Sequence, residues 1–234
     1  MESKYKLISL VGVGAYGEVW RAISLLTGKE VAVKIDTPST PPGSLRYEAK
    51  VMTTLSKTKH AVTIFGFGKA SQRRSYIAMT LLGDSLEERL SCGVEILVLA
   101  RDMLDAIKCF HKAGYVHRDI KPSNFKYGRD DPDNIYIIDY GLSKPCGGKG
   151  ASSYGVVGTR SFMSLNARMG RTQWKHDDVE AWFYVVIYLW SGELPWVDVS
   201  SPLRTGPREA FLEVCGESGR DMIAYLRHTA GSVA

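Results

Sequence analysis

With 234 residues, 44% hydrophobic and 24% charged, the chain has an ordinary globular make-up and enough apolar mass for a sizeable core, in one domain or two lobes sharing a cleft. The formal net charge of +5 is mild. Lys and Arg are scattered rather than blocked, which argues against nucleic-acid binding and supports at most weak attraction to anionic ligands or acidic substrates.

Met1–Lys6 is polar, with no apolar secretion segment behind it. The longest apolar run, Trp182–Trp190, is about half of what a bilayer span needs, so a soluble intracellular protein is expected. Tyr5–Leu10 reads as a strand, followed by Gly12-Val13-Gly14-Ala15-Tyr16-Gly17-Glu18-Val19. A G-x-G-x-x-G run also occurs in dinucleotide-binding folds, but there the glycines open a helix. Here β-rich Glu18–Ala22, a turn at Thr27-Gly28 and the strand Glu30–Ile35 follow, so the pattern is strand, glycine turn, strand, turn, strand. Such a hairpin lets backbone N–H groups approach phosphates with no Cβ in the way. Lys34 closes the apolar run Val31–Val33, which presents its ammonium at a strand end and favours a phosphate contact.

Thr37–Gly43 holds three prolines and reads as a loop. Ser44 is expected to cap a helix through Glu48 to about Leu55, with Leu45, Ala49, Met52 and Leu55 on one stripe and Glu48 at its inner edge, where it could pair with Lys34. Ala61–Lys69 and Ser75–Leu81 read as two more strands joined by the basic turn Ser71–Arg74. A crossing at Met79–Gly83 ends a small β-rich region, and its backbone could hold an adenine ring, with Met79 and Leu82 nearby or else simply packed in apolar surroundings. Asp84 or Ser85 then starts a helical turn. Glu95–Lys112 is strongly amphipathic, with Gly114 as its stop, and reads as core scaffold without chemistry.

The loop that follows, His117-Arg118-Asp119-Ile120-Lys121-Pro122-Ser123-Asn124-Phe125, gathers the groups that phosphoryl transfer needs. These are a carboxylate for a hydroxyl, a cation for migrating charge and an oxygen ligand for Mg²⁺, at the spacing H-R-D-x-x-x-x-N. After Phe125–Tyr127 and a polar turn comes the strand Ile135–Ile138, closed by Asp139-Tyr140-Gly141. An acid at the end of an apolar strand is costly unless it is paired or binds a cation, and Mg²⁺ shared with Asn124 is the natural partner. Cys146–Tyr154 is Gly- and Ser-rich. Gly158-Thr159-Arg160 leads into Ser161–Ala167, and Lys175–Glu180 opens an apolar helix to Leu189, with Asp177 and Asp178 suited to its N-terminus. Gly192 ends it, Pro195-Trp196 breaks the chain, and one further helix is expected at Asp221–His228. Cys92, Cys109, Cys146 and Cys215 lie far apart without C-x-x-C spacing, which favours reduced cytosolic thiols over zinc ligation.

From Tyr5 to Trp196 these motifs resemble a eukaryotic-type protein kinase. Leu81–Glu87, Pro122–Phe125, Ser164–Ala167 and His176–Ala181 are similar to the casein kinase 1 group, which has an S-I-N type segment where most kinases have A-P-E. The resemblance implies an α+β, bilobal, protein-kinase-like fold: one catalytic domain over 1–234, with an N-lobe antiparallel sheet plus one helix over 1–82 including the hinge, and a mainly helical C-lobe over 83–234 whose last helices are missing. It implies a non-specific serine/threonine protein kinase that moves the γ-phosphoryl group of Mg·ATP to protein Ser/Thr hydroxyls. The assigned catalytic residues are Asp119 as base, Lys121 on the transferring phosphate, Lys34 and Glu48. Val11, Gly12, Val13, Gly14, Ala15, Tyr16, Gly17, Val19, Ala32, Lys34, Met79 as gatekeeper and Leu82 in the hinge would hold ATP, and Asn124 and Asp139 would hold Mg²⁺. Thr159 would sit beside the acceptor, and Asp178 would brace the catalytic loop. Partners would be proteins with Ser/Thr acceptors, with no nucleic acid and no membrane, for a monomer in the cytoplasm or also the nucleus.

Ser161 stands where the group usually carries Arg, with Arg160 one place earlier, which bears on preference for primed or acidic substrates. Arg118 could receive a phosphate from Ser152, Ser153 or Thr159, although the group generally works without that step. The alternative is a non-catalytic, kinase-shaped nucleotide-binding or scaffold module, suggested by the short tail.

Overall fold

The computed structural model describes residues 1, 3–14, 16–89, 95–146 and 155–194. Ala15, Cys92, Cys215, Ser152, Ser153, most of the Gly/Ser-rich stretch, Pro195-Trp196 and the helix expected at Asp221–His228 lie outside the described residues. The chain divides into two compact units: Met1–Asp84 with Lys126–Gly141, and Ser85–Phe125 with the chain from Leu142 onward.

The first unit is built on a five-stranded antiparallel sheet. Its strands are β1 (Tyr5–Gly14), β2 (Gly17–Ser24), β3 (Glu30–Ile35), β4 (Ile64–Lys69) and β5 (Ser75–Met79), in the order β1-β2-β3-β5-β4. β1 runs further than Tyr5–Leu10. Its glycines pair in register with β2, Gly12 opposite Val19 and Gly14 opposite Gly17, so most of the glycine run is strand rather than turn. β4 starts at Ile64 and β5 stops at Met79, both shorter than their apolar runs.

One sheet face buries Tyr5, Ala22, Val31, Val33, Ile35, Tyr76 and Ala78, the apolar alternation that a half-buried strand requires. Gly66 and Gly68 on β4 make room for Tyr5 and Tyr76, whose rings meet edge to face at 5.7 Å. A Cβ at Gly66 would stand 2.9 Å from the Tyr5 hydroxyl, and one at Gly68 would stand 3.1 Å from the Tyr76 ring. Helix α1 (Ser44–Leu55) buries Leu45, Glu48, Ala49, Val51, Met52 and Leu55. Ser44 is not its cap. Gly43, at φ 82, holds that position, and the Ser44 hydroxyl donates to the Pro41 carbonyl (2.8 Å) because the proline turn brings that oxygen within reach. Short strands β7 (Phe125–Tyr127) and β8 (Ile135–Ile137) pair with each other. The buried His60 straps β8 down: its Nδ1 donates to Ile135 O (2.7 Å), and its carbonyl receives Ile137 N–H (3.1 Å). Asn134 Nδ2 adds a bond to Lys59 O (3.0 Å). This strap fixes the strand that leads, two residues on, to Asp139.

The second unit is mainly helical. Ser85 opens it with a reciprocal cap: its N–H donates to Glu88 Oε2 (2.6 Å) while Glu88 N–H donates to Ser85 Oγ (3.2 Å). Helix α2 (Glu95–Lys112) ends before Gly114 at φ 89. Helix α4 (Lys175–Ser191) stops at Gly192, φ 79. Trp182 locks the two helices together, with its buried indole N–H on Ala100 O at 2.9 Å. Strands β6 (Tyr115–Val116) and β9 (Lys144–Pro145) pair, and the one-turn helix α3 (Leu165–Arg168) precedes α4. No helix among the described residues is long and apolar enough to cross a membrane.

Candidate active site

In the first unit, pairing of Gly14 with Gly17 leaves only Ala15 and Tyr16 between β1 and β2. Gly17 has φ 130, and a Cβ there would meet the Ile35 carbonyl oxygen at 2.4 Å, so only glycine lets the hairpin lie against the end of β3. Val11 and Val13 are exposed, Val19 faces Lys34 across β2–β3, and the buried Ala32 faces Met79 across β3–β5. Leu82, half-buried, follows β5. Tyr16 lies over Gly141, where an added Cβ would come within 3.1 Å of its ring.

Lys34 is the penultimate residue of β3 and is buried. Its Nζ donates to both Glu48 oxygens, at 2.9 and 2.8 Å, and stands 3.6 Å from Asp139 Oδ1. Burial alone would lower the lysine pKa. The Glu48 charge and then Asp139 outweigh it, so the ammonium is held charged above the ordinary lysine range. The Tyr140 backbone N–H also hydrogen-bonds Glu48. Asp139 adopts φ 64, and its Oδ1 is buried and accepts no hydrogen bond.

In the second unit, the carboxylate of Asp119 is held from several sides. Oδ2 lies 2.9 Å from Lys121 Nζ, and Oδ1 accepts the Thr159 hydroxyl at 2.7 Å. Asn124 Nδ2 donates to Asp119 O (2.8 Å) and Oδ2 (3.2 Å), within the 3-10 turn Pro122–Asn124. Burial raises the Asp119 pKa, but the Lys121 hydrogen bond and charge, then the Thr159 hydroxyl, outweigh it and hold the group below the ordinary carboxylate range. Gly158, at φ 115, lets Thr159 come this close, since a Cβ there would stand 2.7 Å from Arg118 O.

The loop backbone rests on Asp178, in the first turn of α4. Its oxygens accept His117 N–H and Arg118 N–H, both at 2.8 Å, and His111 Nε2, also at 2.8 Å. Arg118 sits at φ 70, with Nε on Leu142 O at 2.7 Å. Arg118 and Asp139 are the two non-glycine residues with positive φ among the described residues; the first directly precedes Asp119 and the second lies beside Lys34 in the other unit. His111 is a correction to the scaffold reading of α2: its ring shares the carboxylate that braces the loop. The apolar periodicity of that helix offers no signal for it, because the partner lies 67 residues on. Asp177 does local work as well, accepting Trp174 N–H (2.6 Å) and Ser164 Oγ (2.7 Å).

A glycine hairpin beside a buried Lys–Glu pair, and a braced H-R-D loop with an amide five residues beyond its acid, are what the comparison with known families then matches. The family model for the protein kinase domain covers residues 5–206. The chain belongs to the protein kinase family. As a protein kinase it is a transferase that uses ATP with a divalent cation and acts on protein substrates.

Each unit holds an oxygen donor of the kind such a cation takes. Asp139 Oδ1 is a buried carboxylate oxygen that faces only the Lys34 ammonium at 3.6 Å among the contacts of the described residues, and Asn124 turns its Nδ2 to Asp119 so that its own Oδ1 remains as an acceptor. Both are hard oxygen donors. Arg160 opens the 3-10 turn Arg160–Phe162 directly after Thr159, and its side chain is exposed.

Proposed function

We propose that this kinase is a casein kinase 1-like serine/threonine kinase that transfers the γ-phosphoryl group of Mg·ATP to Ser/Thr hydroxyls of proteins. The observation that carries the reading is the double hold on Asp119, by Lys121 on one oxygen and Thr159 on the other. A carboxylate so held stays ionised at neutral pH and can accept the proton of an acceptor hydroxyl. By the resemblance, Lys121 would neutralise negative charge on the migrating phosphoryl group, and Thr159 would sit beside the acceptor. A lysine two positions after the loop aspartate favours Ser/Thr over Tyr acceptors.

Lys34, oriented by Glu48, would contact the ATP phosphates beneath the hairpin of Gly12, Gly14 and Gly17. Asp139 and Asn124 would hold Mg²⁺, which would supply neutralisation of phosphate charge. Ala32, Met79 and Leu82 would line the base. By the same resemblance the kinase is active without prior phosphorylation and acts as a monomer in the cytoplasm.

Asp119→Asn tests the base directly. Phosphate transfer to casein should fall by about a thousand-fold with the melting temperature nearly unchanged. Transfer at the wild-type rate would remove Asp119 from that role. A wild-type chain that binds Mg·ATP yet never transfers phosphate would instead be the non-catalytic module.

A further inference from the structure

One guanidinium joins the strand ends next to Lys34. Arg74, in the turn before β5, donates from Nε to the Asp36 carbonyl oxygen (2.6 Å) and from Nη2 to Glu18 Oε2 (3.2 Å). The same Glu18 oxygen accepts Trp20 Nε1 (3.2 Å). Asp36 takes Ser75 N–H on Oδ1 (2.6 Å) and gives its own N–H to Ser75 O (3.1 Å). Glu18 follows Gly17 directly and lies opposite Ile35, with Val19 opposite Lys34. Arg74 therefore ties the return leg of the glycine hairpin, the end of β3 and the start of β5 into one knot.

The knot adds a side-chain anchor to a hairpin otherwise held by the β1–β2 pairing and by the seat of Tyr16 on Gly141. β1 is an edge strand that pairs with β2 alone. Gly12, Gly14 and Gly17 contribute no side chains, and glycine backbone is the costliest to order. The β2–β3 ladder ends at Glu18, so the Glu18–Arg74 contact is the last charged attachment before the hairpin tip. Both side chains are about one-third exposed (36% and 30%). An ion pair at that exposure contributes little to global stability. A small displacement of a positioned ligand-binding element, by contrast, can cost far more in function.

We propose that Arg74 is a positioning residue for ATP: by gripping Glu18 and the Asp36 carbonyl it holds the glycine hairpin over the phosphate-binding end of β3. The proposal rests on that hairpin being the phosphate cradle. It is tested on the full chain by calorimetric titration with Mg·ATP, steady-state kinetics and thermal melting of Arg74→Met, Arg74→Lys, Glu18→Gln and the Met/Gln double variant.

Arg74→Met should weaken ATP binding and raise the KM for ATP by about five-fold, with kcat within about two-fold. Its melting temperature should stay within about 2 °C of wild type. Arg74→Lys can reach Glu18 or the Asp36 carbonyl but not both, so it should fall between. Adding Arg74→Met to Glu18→Gln should cost less than in the wild type, because the two act through one contact. Unchanged ATP affinity in Arg74→Met, affinity lost only in step with the melting temperature, or fully additive single variants would each overturn the proposal.

Gly14→Val is the control for the cradle itself, since a Cβ at Gly14 meets nothing within 4 Å and the fold has room for it. If Gly14→Val binds ATP like wild type, the cradle assignment fails whatever Arg74 does. If Gly14→Val loses ATP while Arg74→Met keeps it, only the role of Arg74 fails.

Discussion

Two buried charge sets, one in each unit, meet the same problem by different means. In the first, Lys34 and Glu48 neutralise each other side chain to side chain. In the second, Asp178 is a buried carboxylate whose partners are the backbone N–H groups of His117 and Arg118 and one ring nitrogen of His111. A side-chain pair can be exchanged as a pair for apolar residues of similar volume, because both costs disappear together. Backbone N–H groups cannot be mutated away, so the acid that satisfies them has no apolar substitute. The first set should thus be replaceable as a pair without loss of the fold, whereas the second should not.

The largest effect should come from Asp178→Ala. It leaves two buried N–H groups and a histidine nitrogen unpaired, for a loss of about 3 kcal/mol or more, with phosphate transfer falling alongside. Chemical denaturation and a casein assay on the same preparation check it. A stable, active Asp178→Ala would break the contrast at its stronger end.

Next, Lys34→Met strands a buried carboxylate and should cost about 3 kcal/mol and most of the activity. Lys34→Met with Glu48→Met should recover most of that stability and none of the activity. A double variant as unstable as the single would mean that Glu48 is held by more than its lysine, with the Tyr140 N–H the first suspect.

The finest distinction concerns Asp119. Its pKa is depressed in the folded protein, so its share of stability is present above the ordinary aspartate value of about 3.9 and lost as pH falls through the lower folded value. The wild-type acid limb of kcat/KM should therefore owe nothing to Asp119 in the neutral range. Lys121→Met removes the main depressing influence and leaves burial, so that limb should move to higher pH while the melting temperature changes little. A profile whose acid limb stays in place would mean that Thr159 alone sets the ionisation of Asp119.

Much of this was legible along the chain. Strand β3 and helix α2 fall where pattern and stop residues put them, because their apolar periods and flanking glycines are local properties. The Lys34–Glu48 pair was legible for a related reason: a lone lysine in an apolar strand and a glutamate at the inner edge of the next helix are both costly unless they meet. The glycine run differs from its expected local form, because pairing with β2 extends β1 through Gly14, and glycine propensity says nothing about a partner strand. Ser44 does not cap α1, because the proline turn offers its hydroxyl the Pro41 carbonyl instead. His111 and Arg74 carry no local signal at all. Each acts through a partner more than 50 residues away, Asp178 for one and Glu18 for the other.

The amino-acid order by itself determined which groups are present and at what spacing: the glycines, the lysine, the H-R-D loop with its asparagine, and Asp139 after an apolar run. Those are chemical identities fixed by covalent neighbours. Only the tertiary structure decided which charges are held, and by what. The double grip on Asp119, the seat of the loop on Asp178 and the knot at Arg74 are made by hydrogen bonds, and a hydrogen bond depends on distances of about 3 Å that exist only once distant segments have packed together.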